Sequence, residues 1–313
     1  MLSHITRRIA LSLVVLFGLL VATFVIIHLV PGDPVQQLLG SRASPTAIAS
    51  ARHELGLDRP LPEQFSAFLG RTVRGDFGRS IPLNSSVSSV IGPRLAPSAL
   101  LIAYGLVIAL AVGVPLAVIA AVRPNGALDN GIRLTATFAF AMPTFWLGLM
   151  LALVFGLSLK WFPVSGYDSG VGGFFRTLTL PALTLGLSLA VVVVRTLRSS
   201  LLEVLQSEYI DAARSRGLRE LRVVGKHAMR NAVMATVTIL SVDIGFLIGG
   251  TVVIEAVYQI PGAGSLLVQA VQRRDYALIQ TLALLAGTAV VVTGLLADLL
   301  QVVIDPRVRL AGR

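Results

Sequence analysis

The stretch SEYIDAARSRGLRELRVVGKHAMRN, residues 207–231, lies between two long apolar runs and is strongly polar and basic. Because charged side chains are costly in lipid, this pattern predicts a loop at one face of a membrane. Ser207 is placed to cap a short helix that ends at Gly217. The first turns of this helix carry Glu208 and Asp211, as the helix dipole prefers. A helix of about 10 residues is marginal in water and needs a docking surface, whereas an ordinary cytoplasmic loop is the alternative on the residues alone.

The middle of this stretch resembles the coupling loop of a transporter family. The sequence DAA at residues 211–213, followed after three residues by Gly217, looks like the EAA loop of membrane subunits of bacterial ABC importers, with Asp in place of the usual Glu. The sequence HAMRNA, residues 227–232, is similar to the dipeptide/oligopeptide permease branch. In that family the loop is the helix that fits into a cleft on the ATPase subunit, which implies that residues 208–217 transmit force. The contact residues that the resemblance implies are Glu208, Tyr209, Asp211, Ala212, Ala213, Arg216 and Gly217.

Other segments along the chain resemble the same branch in matching order. They are GLDRPLP (56–62), GDFGRSI (75–81), MPTFWLG (142–148), WFPVSGY (161–167), LPALTLGL (180–187) and IEAVYQIPGAGSLL (254–267). Together these segments are far more specific than any one of them, and they extend the resemblance over most of the chain.

The composition indicates a membrane protein before any motif is considered. Hydrophobic residues make up 55% of the 313 residues and charged residues only 13%, and the mean hydropathy is +0.81. The net charge of +10 fits basic loops that face anionic lipid, and we expect no nucleic-acid partner. The absence of cysteine excludes disulfides, iron–sulfur clusters and thiolate chemistry.

Six apolar runs are each long enough to cross the roughly 30 Å hydrocarbon layer as a helix. They predict an all-α polytopic fold, a single transmembrane domain over residues 1–313, with spans at residues 9–30, 98–122, 134–159, 177–200, 231–256 and 279–304. The one long hydrophilic region, residues 31–97, separates the first two spans. Helical patterns within it predict one short helix from Pro45 and another from Pro62 to Val73.

Basic side chains indicate which side of the membrane is cytoplasmic. Arg7 and Arg8 precede the first span. The largest group lies in residues 207–231 and the helix that enters them: Arg195, Arg198, Arg214, Arg216, Arg219, Arg222, Lys226 and Arg230. The positive-inside rule therefore predicts that both termini and the coupling loop are cytoplasmic and that residues 31–97 are extracytoplasmic.

Three acidic residues lie in or near the predicted spans, namely Asp243, Glu255 and Asp298. A carboxylate at the centre of a bilayer costs on the order of 3 kcal/mol and usually faces a polar cavity. We therefore predict that Asp243, and with it Glu255, lines the translocation path. The rival hypothesis is a secondary transporter driven by protons through these three residues, and a third is a membrane scaffold without transport.

No catalytic chemistry can be assigned to the chain. It has no G-x-x-x-x-G-K-[ST] phosphate loop, and its four histidines are scattered, so we predict no catalytic, cofactor-binding or metal site. The family resemblance implies that ATP and Mg are bound by two partner ATPase subunits. It also implies a homologous second permease subunit in a heterodimer, an extracytoplasmic solute-binding protein, and a place in the bacterial cytoplasmic membrane. The substrate it implies is a short peptide, with nickel or a sugar as alternatives.

Overall fold

The structure is a computed structural model that describes residues 2–29, 44–54 and 58–304. Within these residues a short hairpin is formed by β1 (Arg79–Ser80) and β2 (Ser85–Ser86), and everything else that is regular is helical. The helices are α1 (Leu2–Leu29), α2 (Pro45–Glu54), α3 (Leu61–Val73), α4 (Val87–Val122), α5 (Ala127–Ala141), α6 (Thr144–Leu151, continued by a π-helical stretch Ala152–Ser158), α7 (Val171–Leu205), α8 (Glu208–Ser215), α9 (Glu220–Arg222, continued by a π-helical stretch Val223–Ala228), α10 (Met229–Tyr258), α11 (Ala263–Gln272) and α12 (Tyr276–Ile304).

Five helices among the described residues are long and apolar enough to cross a membrane, namely α1, α4, α7, α10 and α12. A sixth span results if α5 and the helix that follows it are counted together. The predicted all-helical fold with several spans is therefore confirmed. Most of these helices extend beyond the predicted runs, because hydropathy detects only the part of a helix that can lie in lipid.

The segment predicted to form the span over residues 134–159 is sharply bent near its middle. The chain turns by 104° between α5 and α6. Met142 adopts an extended conformation with ψ of 130° because the ring of Pro143 disfavours helical geometry at the residue before it. Beyond the turn, the hydroxyl of Tyr258 donates to the carbonyl oxygen of Gly148 at 2.8 Å, which holds α6 against α10.

The centre of the bundle is the parallel pair of α4 and α7, in which Gly105 lies beside Leu185 and Gly113 beside Val193. Glycine allows the two backbones to approach closely: a Cβ added to Gly186 would lie 2.7 Å from the carbonyl oxygen of Gly105. One cluster of buried side chains, which includes Leu101, Leu180 and Leu185, fills the interface. Small residues at helix crossings are typical of membrane bundles, where close backbone packing supplies much of the attraction.

The first and last helices lie side by side in opposite directions. Arg8 Nη1 and Asp298 Oδ2 form an ion pair at 2.9 Å, and Leu19 lies directly against Gly287. The start of α1 and the end of α12 therefore lie at the same end of the bundle. The predicted cytoplasmic C-terminus falls on residues 305–313, which lie outside the described residues.

The region predicted to be extracytoplasmic forms small elements at the opposite end of the bundle. Both predicted short helices are present, as α2 and α3. In the hairpin Arg79 pairs with Ser86, and the hydroxyl of Ser80 donates to the buried carboxylate of Asp275 just before α12. Residues 30–43 and 55–57 of this region lie outside the described residues.

Candidate functional site

Helix α8 lies across the ends of the central helices and has one buried face. Ile210 is fully buried and Ala213 is 8% exposed. Both belong to a cluster that includes Ala117 and Ala121 at the end of α4 and Leu197 and Leu201 near the end of α7. This packing explains why so short a helix is stable, since its apolar stripe is covered by the ends of α4 and α7 and by buried residues of the segment that leads into α10.

The opposite face of α8 is exposed. It carries Glu208, Tyr209, Asp211 and Ala212, and Arg216 follows directly after the helix. Spacings of three and four residues place Glu208, Asp211 and Ala212 on one side. Of the contact residues that the resemblance implies in the middle of the helix, Asp211 and Ala212 therefore lie on the exposed face. Ala213, which is also among those contact residues, lies on the buried face, because a shift of one residue along a helix turns a side chain by about 100°.

Helix α8 begins after Ser207 and ends just before Gly217, as predicted, but Ser207 does not cap it through its side chain. Gly217 has φ of +78°, the left-handed conformation expected where a helix ends. Ser207 occupies the N-cap position, but its side chain does not accept a hydrogen bond from the helix. Its hydroxyl instead donates to the carbonyl oxygen of Val204 at 2.5 Å, which ties the start of α8 to the end of α7.

Two side-chain contacts connect α8 to the segments that follow it. Arg214 Nη2 donates to Glu220 Oε1 at 2.8 Å, and its Nη1 lies 3.5 Å from Asp211 Oδ1. The hydrogen bond with Glu220 raises the pKa of Arg214 above its usual value. The amide of Asn231, at the start of α10, donates to the hydroxyl of Tyr209 at 2.7 Å. No sequence pattern predicted that Arg214 pairs with Glu220 or that Tyr209 pairs with Asn231.

A bidentate ion pair lies at the same end of the bundle. Arg198 on α7 donates from Nε and Nη2 to the two carboxylate oxygens of Asp129 on α5, each at 2.6 Å. Asp129 is fully buried and also accepts from the backbone N–H of Asn125 at 2.8 Å. The sequence analysis counted Arg198 only as a basic loop charge. Its partner is 69 residues away in the sequence, and no local pattern connects the two.

A cavity of about 810 Å³ lies between α4, α10, α11 and α12. Its lining is almost entirely apolar, and the polar side chains in it are the hydroxyls of Ser98, Ser241, Thr251 and Thr293. Leu95 and Ala263 line one end and Val233 and Leu296 the other, so the cavity follows the helices for most of their length. Neither Asp243 nor Glu255 lines it.

Glu255 is enclosed in a network of hydrogen bonds within the chain. Its Oε1 accepts from the hydroxyl of Ser98 at 2.5 Å, and its Oε2 accepts from the backbone N–H of Ser265 at 2.7 Å. Ser98 also accepts from the backbone N–H of Ala263 at 2.8 Å. Both oxygens therefore hold the first turn of α11 against α4 and α10, where a Cβ on Gly262 would come within 2.3 Å of the carboxyl group. In this conformation Glu255 joins α11 to α4 and α10, and its predicted contact with the translocation path stays a prediction.

The other two acidic residues have different surroundings. Asp298 pairs with Arg8, as described above. Asp243 makes no hydrogen bond or ion pair with any described residue. The adjacent Val242 is 60% exposed and Phe246, one turn further along, is 75% exposed. This side of α10 is therefore not covered by the described part of the chain.

The sequence resembles known proteins over nearly the whole length of the chain. The family model described as "Binding-protein-dependent transport system inner membrane component" matches residues 113–310, and the model of its N-terminal part matches residues 1–88. A Brucella suis biovar 1 protein named as a peptide permease is 39% identical over 317 residues, covering 99% of each chain. The glutathione transport system permease protein GsiC of Pectobacterium atrosepticum is 37% identical over 309 residues, again covering 99% of each chain.

Among solved structures, a chain of the inward-facing MetNI methionine ABC transporter has a similar fold. The TM-score is 0.58 at 16% identity, over 69% of this chain and 96% of that chain. At this level of identity the likeness concerns the fold alone.

Proposed function

The chain belongs to the family of binding-protein-dependent transport system inner membrane components, and we propose that it forms part of the membrane path of an ATP-driven importer of short peptides. It is a multi-pass protein of the bacterial cytoplasmic membrane. The observation that supports the proposal most strongly is α8, a short helix whose inner face is buried in the chain while its outer face carries exposed, mostly polar residues. Such a helix is suited to fit into a cleft of a partner.

Force applied to α8 has three routes into the transmembrane helices. Ile210 and Ala213 press on the ends of α4 and α7. The hydrogen bond between Tyr209 and Asn231 leads directly to α10. The ion pair of Arg214 with Glu220 joins α8 to the segment that precedes α10. We propose that closure of partner ATPases moves α8 with these helices as a unit and opens the path to the cytoplasm.

The relatives guide the choice of substrate and partners. Those cited above are named for peptides and glutathione, and a short peptide is therefore the substrate that we propose, ahead of nickel or a sugar. The proposed assembly contains a homologous second permease subunit, two ATPase subunits that bind ATP and Mg, and an extracytoplasmic solute-binding protein. In this proposal residues 1–313 form one transmembrane domain without a catalytic or cofactor site of its own.

Asp243 is the acidic residue proposed to face the path. It makes no hydrogen bond or ion pair with any described residue and is half-buried beside the exposed side chains of Val242 and Phe246, where in our proposal a second permease subunit completes the path. The proton-driven alternative has less support, because Glu255 is enclosed in a structural network and Asp298 is paired with Arg8.

Ala212→Asp tests the docking face. The side chain is exposed in the chain, so folding and membrane levels should match those of the parent. A second carboxylate beside Asp211 would lose its hydration in a partner's cleft, and we expect co-purification of the ATPases and peptide uptake to fall at least several-fold. The matched control is Ser169→Asp, an exposed position at the opposite end of the bundle. If both variants assemble and transport like the parent, α8 is an ordinary loop helix.

Single cysteines test the proposed orientation. The chain has no native cysteine, and Ser215 and Ser169 are both exposed. A membrane-impermeant thiol reagent should label Ser215→Cys only from the cytoplasm and Ser169→Cys only from outside. The reverse pattern would overturn the orientation and the assignment of α8 together.

A further inference from the structure

A surface with a fixed geometry lies at the end of the bundle opposite α8. The hairpin of β1 and β2 ends directly before α4, whereas Ala121, near the other end of α4, belongs to the cluster that buries one face of α8. Helix α4 has 36 residues, which corresponds to about 54 Å at 1.5 Å per residue. The hairpin is therefore far from the face that we propose to bind the ATPases.

Buried contacts fix the hairpin to the ends of α11 and α12. The hydroxyl of Ser80 donates to the carboxylate of Asp275, which is 2% exposed and also accepts from the backbone N–H of Leu278 at 3.3 Å. Beneath the hairpin, Phe77 and Leu83 pack on a buried cluster that joins the start of α4 to α11 and α12. The hairpin and the turn between α11 and α12 therefore form one rigid unit, residues 79–86 and 271–275, which we call the hairpin platform.

The outer side of the hairpin platform is basic. Arg79, Arg273 and Arg274 are exposed, and none of them forms an ion pair with any described residue. Arg79 precedes Ser80 and Arg274 precedes Asp275, so the hydrogen bond between Ser80 and Asp275 brings the arginines close together. Asp275 is the acidic residue of the platform, and its carboxylate is buried. The exposed charge of the platform is therefore positive throughout.

Apolar side chains are exposed beside these charges. Ile81 is 42% exposed and Val271 is 55% exposed. Nη2 of Arg79 donates to the side-chain oxygen of Asn84 at 3.1 Å, which holds the guanidinium beside the hairpin turn. Arginine is enriched in protein–protein interfaces, and the centres of these interfaces are apolar. The platform has both properties.

The arginines also run against the usual distribution of charge in membrane proteins. In the proposed orientation the platform is extracytoplasmic, and short extracytoplasmic connections usually carry few basic residues. Two of the three residues between α11 and α12, Arg273 and Arg274, are nevertheless arginines. The topology of the chain gives no reason for them, which favours a role in binding.

We propose that the hairpin platform docks the extracytoplasmic solute-binding protein through an acidic surface of that protein. The inference rests on the proposed function, because it requires an importer with such a partner. A fixed arrangement of charges and apolar groups suits one complementary protein surface, whereas fluid lipid head groups require no fixed geometry. Opposite charges on the two proteins speed their association and fix the orientation in which they bind.

Binding at low and high salt tests the arginines. The probe is the importer's own solute-binding protein, purified separately and loaded with its peptide, and the importer is held in lipid nanodiscs. Changing Arg273 and Arg274 together to Gln leaves the hairpin intact and should weaken binding about fivefold at low salt, with a flatter salt dependence. Adding Arg79→Gln should bring the loss to about tenfold or more.

The matched control removes two charges from other elements at the same end of the bundle. Lys160→Gln combined with Arg176→Gln changes two exposed residues, and binding should stay within about twofold of the parent. Ile81→Ser combined with Val271→Ser should weaken binding without changing its salt dependence, because neither side chain is charged. Basal ATP hydrolysis should be the same in all variants, since α8 is unchanged.

The outcomes separate this inference from the proposed function. If the parent binds the solute-binding protein and the variant of Arg273 and Arg274 binds it as well as the control does, the platform is not the docking site and the proposed function stands. If the parent binds no solute-binding protein, both fail. If protein binding is unchanged while the variant loses bound phosphatidylglycerol, the platform contacts lipid, which also overturns the inference.

Discussion

Two connections leave the ends of α10, and each contains a short helix that is held by a different kind of interaction. At one end α11 is held by buried polar groups, since Glu255 accepts hydrogen bonds from Ser98 and Ser265. At the other end α8 is held by apolar packing and by the solvent-accessible pair of Arg214 and Glu220.

This difference indicates which connection can offer its carboxylates to a partner. Both carboxylate oxygens of Glu255 accept hydrogen bonds within the chain. The region around α11 therefore has a fixed geometry, and this carboxylate is not available to a partner. On α8 the carboxylates of Glu208 and Asp211 are exposed. Buried polar networks fix one arrangement of the elements that they join, whereas exposed pairs contribute little stability and leave a surface available.

The largest effect is expected from Glu255→Ala. This change leaves the hydroxyl of Ser98 and the N–H of Ser265 without their acceptor in a buried site, which costs about 3 to 5 kcal/mol. Thermal unfolding of the purified chain in detergent should shift to markedly lower temperature. Asp243→Ala is the control, because Asp243 has no partner among the described residues and its loss should leave unfolding nearly unchanged. Equal shifts in both variants would mean that Glu255 contributes no more to the stability of the fold than Asp243 does.

A second, somewhat smaller effect separates the two faces of α8. Ala213→Asp places a carboxylate among Ile210, Leu201 and Val223, and we expect a loss of about 2 to 4 kcal/mol, because the site is buried and offers no partner for the charge. Ala212→Asp, one residue away, should leave the stability of the isolated chain within about 0.5 kcal/mol. If Ala212→Asp were the more damaging change in the isolated chain, the assignment of the two faces would be reversed.

The features that these two pairs of variants test could not be predicted from the sequence. Apolar runs predicted the spans, and the polar stretch after α7 with Gly217 predicted α8 and its end, because each signal is local. The buried face of α8 and the enclosure of Glu255 depend on residues that are distant in the sequence. Ser98, for example, is 157 residues from Glu255.

The break between α5 and α6 is an intermediate case. Pro143 gave a local signal for it, because proline disfavours helical geometry in the residue before it. A continuous apolar run nevertheless favoured one straight span, since hydropathy does not depend on backbone direction.

A third prediction concerns the end of α8. A Cβ on Gly217 would meet nothing within 4 Å, so the cost of Gly217→Val comes from its left-handed conformation alone and is about 1 to 2 kcal/mol. Hydrogen exchange in residues 208–217 should become about 5- to 30-fold faster. Gly217→Asn is the matched control, because Asn adopts this conformation more readily, and it should resemble the parent. Slower exchange in the valine variant than in the asparagine variant would contradict a conformational cause.

The smallest effect on stability is expected at the pair of Arg214 and Glu220. Their side chains are 40% and 51% exposed, so breaking the pair should cost less than about 1 kcal/mol. In our proposal the pair transmits movement of α8 to the start of α10, and Arg214→Gln should therefore increase the ATP hydrolysed per peptide imported while the ATPases remain bound.

A double-mutant cycle distinguishes this coupling from simple loss of charge. If the contact between the two side chains matters, Glu220→Gln should have the same effect as Arg214→Gln, and the double variant should be no worse than either single change. The exchanged pair Arg214→Glu/Glu220→Arg should recover part of the coupling, because the opposite charges face each other again. Additive losses in the double variant would mean that the two residues act separately. The exposed connection would then be held to α10 by apolar packing and the bond between Tyr209 and Asn231.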